Sequence, residues 1–306
     1  MTDNPEKTVP KTTIAACYFA IYIIWGSTYL AMSISFKTAP ILLANAIRFL
    51  SAGTILSLLA HWNGAAKPTR ANMSVAAHSG VLAFFAAYVL LSWAQKTLPS
   101  STAALLVSLE PAWFVLFDWI FFGGPKPHRV VVAAQAVGMI GCVILVIGEG
   151  AAAPAAGGSA AAYVISSAAV VISSFSWVCG ALLSSKSRNA HPSTAMASGL
   201  QMMCGGAVFA VISASFGDFS RIGDISGESW FALFYLVVFG SIVTYSAYVL
   251  LLRTQPASKV STHSFVNPIV ALVLGAAMAD ERITKFTVIA AALIVSSIVM
   301  IIRHRR

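Results

Sequence analysis

Two charged side chains stand inside long apolar runs of this chain: Arg48 and Glu110. A charge at the centre of a bilayer costs about 2.5–3.5 kcal/mol on insertion scales, so each needs a partner or an aqueous cavity. Both runs enter from the same face, and at ~1.5 Å per residue both side chains lie about 12–15 Å deep, where they can meet. Such a pair either locks two helices together, or one member titrates or contacts a charged substrate. Aromatic residues supply the second signal. Trp25 and Tyr29 stand i,i+4 apart, as do Phe84 and Tyr88, while Glu110, Trp113 and Phe117 share one helical face, as do Tyr245 and Tyr248. Trp25, Trp113, Trp177 and Tyr245 fall well inside their runs, away from the interfacial belts that Trp and Tyr favour. A buried indole N–H or phenol O–H wants a partner, which a water-filled cavity, a polar substrate or a neighbouring helix supplies. Trp62, Trp93, Trp119 and Trp230 sit near run ends, as belt residues do.

The elements that carry these residues are membrane helices. Of 306 residues, 58% are hydrophobic and only 9% charged, and the mean hydropathy is +0.83. Soluble domains carry roughly a quarter charged residues, so a soluble enzyme or a nucleic-acid-binding domain is excluded. About 20 apolar residues span the hydrocarbon core as a helix, and the chain divides into ten such runs: 12–35, 40–62, 73–95, 100–122, 129–148, 161–185, 194–216, 229–252, 258–279 and 285–302. The links carry turn residues, among them Pro40, Pro99, Gly123-Gly124-Pro125, Pro192 and Pro256. With the N-terminus inside, thirteen Lys and Arg face the cytoplasm (Lys7, Lys11, Lys67, Arg70, Lys126, Arg129, Lys186, Arg188, Arg253, Lys259, Arg303, Arg305 and Arg306) and five face outward. That bias predicts cytoplasmic termini.

The chain also repeats. Trp25, Pro40 and Gly53 match Trp177, Pro192 and Gly205 at an offset of 152, and Pro99 and Pro111 match Pro256 and Pro268 at an offset of 157. Glu110-Pro111 thereby falls on Asn267-Pro268. Five runs per copy force the second copy to enter the membrane upside down, the inverted architecture of secondary transporters with a site near the midplane. The expected fold is an all-α integral membrane protein of ten transmembrane helices, two inverted five-helix repeats at 1–150 and 151–306. Pro111 and Pro268 each remove a backbone donor, freeing the carbonyls of Val107 and Ser264, which predicts kinked fourth and ninth spans that serve as hinges. His263, one turn before Asn267, suits a cytoplasmic mouth or a group titrating near neutral pH. Gln201 suits a hydrogen bond across helices, and Ala133, Ala134, Gly138 and Gly141 suit close packing or an interface between subunits.

The stretches Trp25-Gly26-Ser27-Thr28-Tyr29, Arg48-Phe49-Leu50-Ser51-Ala52-Gly53, Leu109-Glu110-Pro111 and Val266-Asn267-Pro268, followed by Asp280-Glu281-Arg282-Ile283-Thr284, resemble the EamA branch of the drug/metabolite transporter superfamily, the ten-helix bacterial exporters. That family usually closes each repeat with a Gly-Glu-Arg/Pro-like element; the first copy here reads Gly123-Gly124-Pro125 and lacks the Glu. The resemblance implies export of small amphipathic metabolites, amino acids and aromatic ones included, across a bacterial inner membrane by alternating access. The expected substrate contacts are Trp25, Tyr29, Tyr88, Glu110, Trp113, Trp177, Tyr245 and Asn267, with Arg48, Glu110 and His263 as an ion pair or coupling groups. Proton-coupled efflux of organic cations through Glu110 and a non-transporting scaffold are the alternatives. Partners are a small-molecule substrate and the lipid bilayer, without nucleic acid; a homodimer and a monomer both fit. No HExxH, phosphate-binding glycine loop or Cys/His cluster occurs, so neither catalytic residues, metal nor cofactor is expected.

Overall fold

The computed structural model describes residues 9–152, 159–187, 189, 191–255, 257–260 and 262–304, and every described element is helical. Lys7, Arg188, Pro256, Arg305 and Arg306 lie outside the described residues, as does the side chain of Arg253. Among the described residues eight helices are long and apolar enough to cross a membrane: α1 (Lys11–Ser35), α2 (Ile41–Trp62), α3 (Arg70–Ala94), α4 (Ser100–Phe121), α5 (Arg129–Ala151), α6 (Ala160–Lys186), α7 (Thr194–Ser215) and α8 (Gly227–Leu251). Two shorter apolar helices follow, α9 (His263–Met278) and α10 (Lys285–Ile301). The ninth run thus starts later than its hydropathy suggests. Residues Ala257–Val260 form a separate turn of helix, and the Thr262 hydroxyl and N–H both bond the Lys259 carbonyl at 2.5 and 3.2 Å, diverting it from a continuous helix.

The helix ends follow local chemistry. Thr69 and Asn72 form a reciprocal capping box at the start of α3, and Ser159, Ser193 and Ser226 accept N–H bonds at the starts of α6, α7 and α8. Pro40 and Pro99 immediately precede α2 and α4. Gly64 and Gly123 turn the chain after α2 and α4 at φ +83° and +69°, where a Cβ would be strained.

The two prolines sit differently in their spans. The fourth span is broken into Ser100–Val107 and Glu110–Phe121, with Ser108 and Leu109 between the segments and Pro111 in the first turn of the second. The ninth span is a continuous helix around Pro268. The difference is positional, since a proline in a first turn removes a donor that has no partner there in any case. The N–H groups of Ala112 and Trp113 turn instead to the Leu109 carbonyl, at 2.9 and 3.4 Å.

α2 packs along α7 and α5 along α10. α3 lies on α6, α1 on α8, α4 on α6 and α1 on α9, while α4 meets α9 through its Ser100–Val107 segment. Without a hydrophobic gain between helices in lipid, close approach must come from small residues. A Cβ on Gly53 of α2 would stand 2.7 Å from the Gly199 carbonyl of α7, and one on Gly138 of α5 2.7 Å from both Leu109 and Ser297. Gln201 of α7 donates to the Ser184 hydroxyl of α6 at 2.5 Å, the cross-helix bond its sequence position suggested. All four cysteines are free. Large apolar side chains such as Phe121, Ile147, Val211, Phe216 and Phe231 point outward, as a lipid-facing surface requires.

Candidate functional site

The middle of the bundle contains the groups that the apolar sequence made conspicuous. Arg48 on α2 is 4% exposed. Its Nε donates to the Ser241 hydroxyl of α8 at 3.1 Å, and its guanidinium carbon lies 5.1 and 5.2 Å from the ring centres of Phe49 and Tyr88. Its Nη1 is buried without a hydrogen-bond partner. The expected ion pair with Glu110 is not formed: the two ion pairs among the described residues are Lys37–Glu228 and Lys186–Asp118. Two aromatic faces and a hydroxyl, rather than a carboxylate, solvate the guanidinium. Glu110, in the first turn of its α4 segment, has a partly accessible side chain with no hydrogen bond or ion pair among the described residues. The amide ends of that segment favour a negative charge there.

Trp177 of α6 closes the same region, edge-on to Phe84 and Tyr88 at 5.4 and 6.2 Å. Phe49 meets the Tyr88 ring at 4.7 Å. Trp113 belongs to a neighbouring aromatic cluster with Phe175 and Phe117, at 4.5 and 6.3 Å, and is buried.

A second group gathers between α1, α8 and α9. Trp25 lies 5.3 Å from Tyr248 and 5.1 Å from His263, and Tyr248 is 6.4 Å from Tyr245. Its polar atoms meet protein. The Trp25 indole donates to the Gly240 carbonyl at 3.2 Å, and the Tyr245 hydroxyl bonds that of Ser198. Asn267, with its amide assigned by the acceptors that surround it, donates to the carbonyls of Ile21, Tyr22 and His263 at 2.9, 3.0 and 3.2 Å.

These bonds have a common cause. α1, α3 and α8 each contain a π-helical stretch, at Ala20–Ile24, Val81–Ala86 and Leu236–Val243, and a π turn loosens the carbonyl ladder and often marks a functional region. Each receives a donor from a neighbouring helix: Asn267 to Ile21 and Tyr22, the Ser176 hydroxyl to Leu82 at 2.7 Å, and Trp25 to Gly240. Within α8, Ser241 and Thr244 bond the carbonyls of Leu236 and Phe239. Sequence reasoning missed Ser176 and Ser241. The available signal was a hydroxyl in an apolar run beside a conspicuous neighbour, Trp177 in one case and Gly240 in the other.

The two ends of the bundle are held differently. At the end where α4 begins, Glu281 accepts from the N–H groups of Ser100 and Ser101 at 2.6 and 3.1 Å and from the Ser101 hydroxyl at 2.5 Å, so the loop after α9 caps α4. Glu149 accepts from the Thr284 and Thr287 hydroxyls beside it. At the opposite end Lys186 meets Asp118 at 2.7 Å, and a recess of about 290 Å³ opens among Tyr18, Tyr22, Gln255, Lys259 and Thr262.

An all-helical bundle with an apolar exterior and an isolated carboxylate among aromatic rings at its centre has the construction of a membrane carrier for small molecules. The chain belongs to the EamA-like transporter family, whose pattern matches it at residues 13–147 and 164–303. It is 29% identical over 285 residues to the uncharacterized inner membrane transporter YedA of Escherichia coli K12, covering 92% of this chain and 88% of that one. It is 25% identical over 130 residues to a probable terminal-alkyne amino-acid exporter of Streptantibioticus cattleyicolor, covering 42% of this chain and 43% of that one. A crystal structure at 20% identity superposes with a TM-score of 0.65 and covers 97% of this chain and all (100%) of that one, a likeness of fold alone.

Proposed function

We propose that this transporter exports small amphipathic metabolites, amino acids with apolar or aromatic side chains above all, by alternating access through its centre. The carrying observation is Glu110: a carboxylate within a membrane-spanning helix that makes no hydrogen bond or ion pair among the described residues. An unpaired intramembrane carboxylate is costly to keep, and a substrate ammonium offsets that cost whenever the site is filled. The resemblance to an amino-acid exporter over part of the chain supports the same substrate class.

In this reading ten spans form two inverted halves, 1–150 and 151–306, with both termini in the cytoplasm of a bacterial cell and the protein in its inner membrane. The helix pairings support it. Exchanging α1–α5 with α6–α10 maps α2·α7, α5·α10 and α4·α9 onto themselves, α1·α8 onto α6·α3, and α1·α9 onto α6·α4. The family pattern occurs once in each half. The break before Glu110 makes Pro111 one hinge, and Pro268 marks its counterpart. Trp25, Trp113, Tyr245 and Asn267 line or brace the path, and His263 stands at its α1–α9 wall.

The unpaired carboxylate equally favours a second reading, proton-coupled efflux of organic cations. Counterflow separates the two. Proteoliposomes loaded with unlabelled L-phenylalanine and no ion gradient are expected to accumulate labelled L-phenylalanine. Cation flux that appears only with a pH gradient, without amino-acid exchange, supports the second reading and overturns the first.

A further inference from the structure

The geometry points to Arg48 as the receptor for the substrate's anionic head, a carboxylate, so that an α-amino acid is held by its two charges, carboxylate on Arg48 and ammonium on Glu110. This deepens the amino-acid reading above and rests on it.

Arg48 is a permanent cation, since a guanidinium does not lose its proton in proteins. It is 4% exposed, yet no carboxylate of the described residues neutralises it. Five carboxylates near the helix ends are engaged elsewhere: Glu281 with Ser100 and Ser101, Glu149 with Thr284 and Thr287, Asp118 with Lys186, Glu228 with Lys37, and Asp218 with Ser213. One edge of the guanidinium is fixed by the Nε bond to Ser241, whose own proton goes to the Leu236 carbonyl. The Phe49 and Tyr88 rings hold its plane. Nη1 is left buried without an acceptor. A planar donor group, oriented by its neighbours and short of one acceptor, is the arrangement that takes a carboxylate.

The second charge completes the match. Arg48 and Glu110 form no ion pair with each other, so each charge is left for one end of a zwitterion, and the Tyr88 ring lies beside the guanidinium. The Phe84 and Trp177 rings next to Tyr88 supply an apolar wall for the side chain. A solute without a carboxylate leaves Nη1 unsatisfied, and one without an ammonium leaves Glu110 so. Discrimination against analogues that lack a group for which a buried polar site was built is characteristically large.

The test is competition with labelled L-phenylalanine exchange in proteoliposomes by unlabelled L-phenylalanine, L-phenylalaninamide and 3-phenylpropionate. For the wild-type chain the amide and the propionate are each expected to compete at least ~30-fold more weakly than phenylalanine, as loss of a charge-assisted contact implies. Arg48→Gln is expected to compress the phenylalanine-to-amide ratio to below about threefold, and Arg48→Lys, which keeps the charge but not the planar fork, to hold an intermediate ratio. Should Arg48→Gln fail to fold, the wild-type ratios still decide. Equal competition by phenylalanine and its amide overturns the role of Arg48 while leaving an amino-acid transporter in place. Absence of exchange for every amino acid tried, leucine and alanine included, overturns both.

Discussion

Glu110-Pro111 in α4 and Asn267-Pro268 in α9 occupy matching positions of the two halves and do opposite things. In α4 the helix stops at Val107 and restarts at Glu110, so the proline opens a segment and the carboxylate before it stands at a helix start with no protein partner. In α9 the helix runs through Pro268, and the amide before it reaches across to the carbonyls of the α1 π turn. One copy of the motif leaves its carboxylate free of hydrogen bonds and ion pairs among the described residues; the other braces a neighbouring helix. A carboxylate in the second copy would have no donor to offer those carbonyls, and an amide in the first would have no charge to offer a substrate. The family pattern occurs in each half, while the chemistry at the matched position is free to diverge.

That contrast predicts effects of different size and kind. The largest concerns transport. Glu110→Gln is expected to slow L-phenylalanine exchange at least ~10-fold, since a hydrogen bond to a charged group is worth about 1.5–3 kcal/mol. Its thermal midpoint should stay within a few degrees of the parent, because no protein contact is lost. A comparable loss of stability and transport would erase the distinction. Asn267→Ala is expected to lower unfolding free energy by about 1–2 kcal/mol, leaving π-turn carbonyls without their donor. Exchange per folded molecule should fall by less than about threefold. A stable Asn267→Ala protein with abolished exchange would move that residue into the site.

Smaller effects follow at the supports. Glu281→Gln weakens the anionic cap on α4 by about 0.5–1 kcal/mol, and faster labelling of a Ser100→Cys reporter by an impermeant maleimide is the expected sign that this end opens more readily. Unchanged labelling would restrict Glu281 to a static role. Ser176→Ala removes the donor to Leu82 and should cost about 0.6 kcal/mol, the average for a cross-helix hydrogen bond in a membrane bundle, read as a small fall in thermal midpoint. A fall as large as that of Asn267→Ala would mean the three π turns are not braced in a graded way.

Much of this architecture was legible from composition and spacing. The apolar runs and their turn residues anticipated an all-helical membrane bundle. Apolar character alone identified Arg48, Glu110 and the deep aromatics, because charge and indole N–H groups are conspicuous where little else is polar. Hydropathy could not show who meets whom. Depth along two helices put Arg48 and Glu110 at one level, but rotation about each axis turned Arg48 toward Ser241, Phe49 and Tyr88. Nor did the sequence reveal the π turns, since a register change in the backbone hydrogen bonds leaves no residue signature. Without them, the tasks of Asn267, Ser176 and the Trp25 indole had no visible object. The late start of α9 was hidden for a similar reason, a hydroxyl at Thr262 competing for one carbonyl inside an otherwise apolar run.

The distinction between a site in α4 and a brace in α9 is tested most directly by cysteine accessibility. In a background with Cys17, Cys142, Cys179 and Cys204 replaced by serine or alanine, Glu110→Cys and Asn267→Cys are exposed in turn to a small methanethiosulfonate, with and without saturating L-phenylalanine. The account expects the cysteine at 110 to react and phenylalanine to protect it, and the cysteine at 267 to react slowly with no effect of phenylalanine. Protection at 267 together with no reaction or no protection at 110 would contradict it.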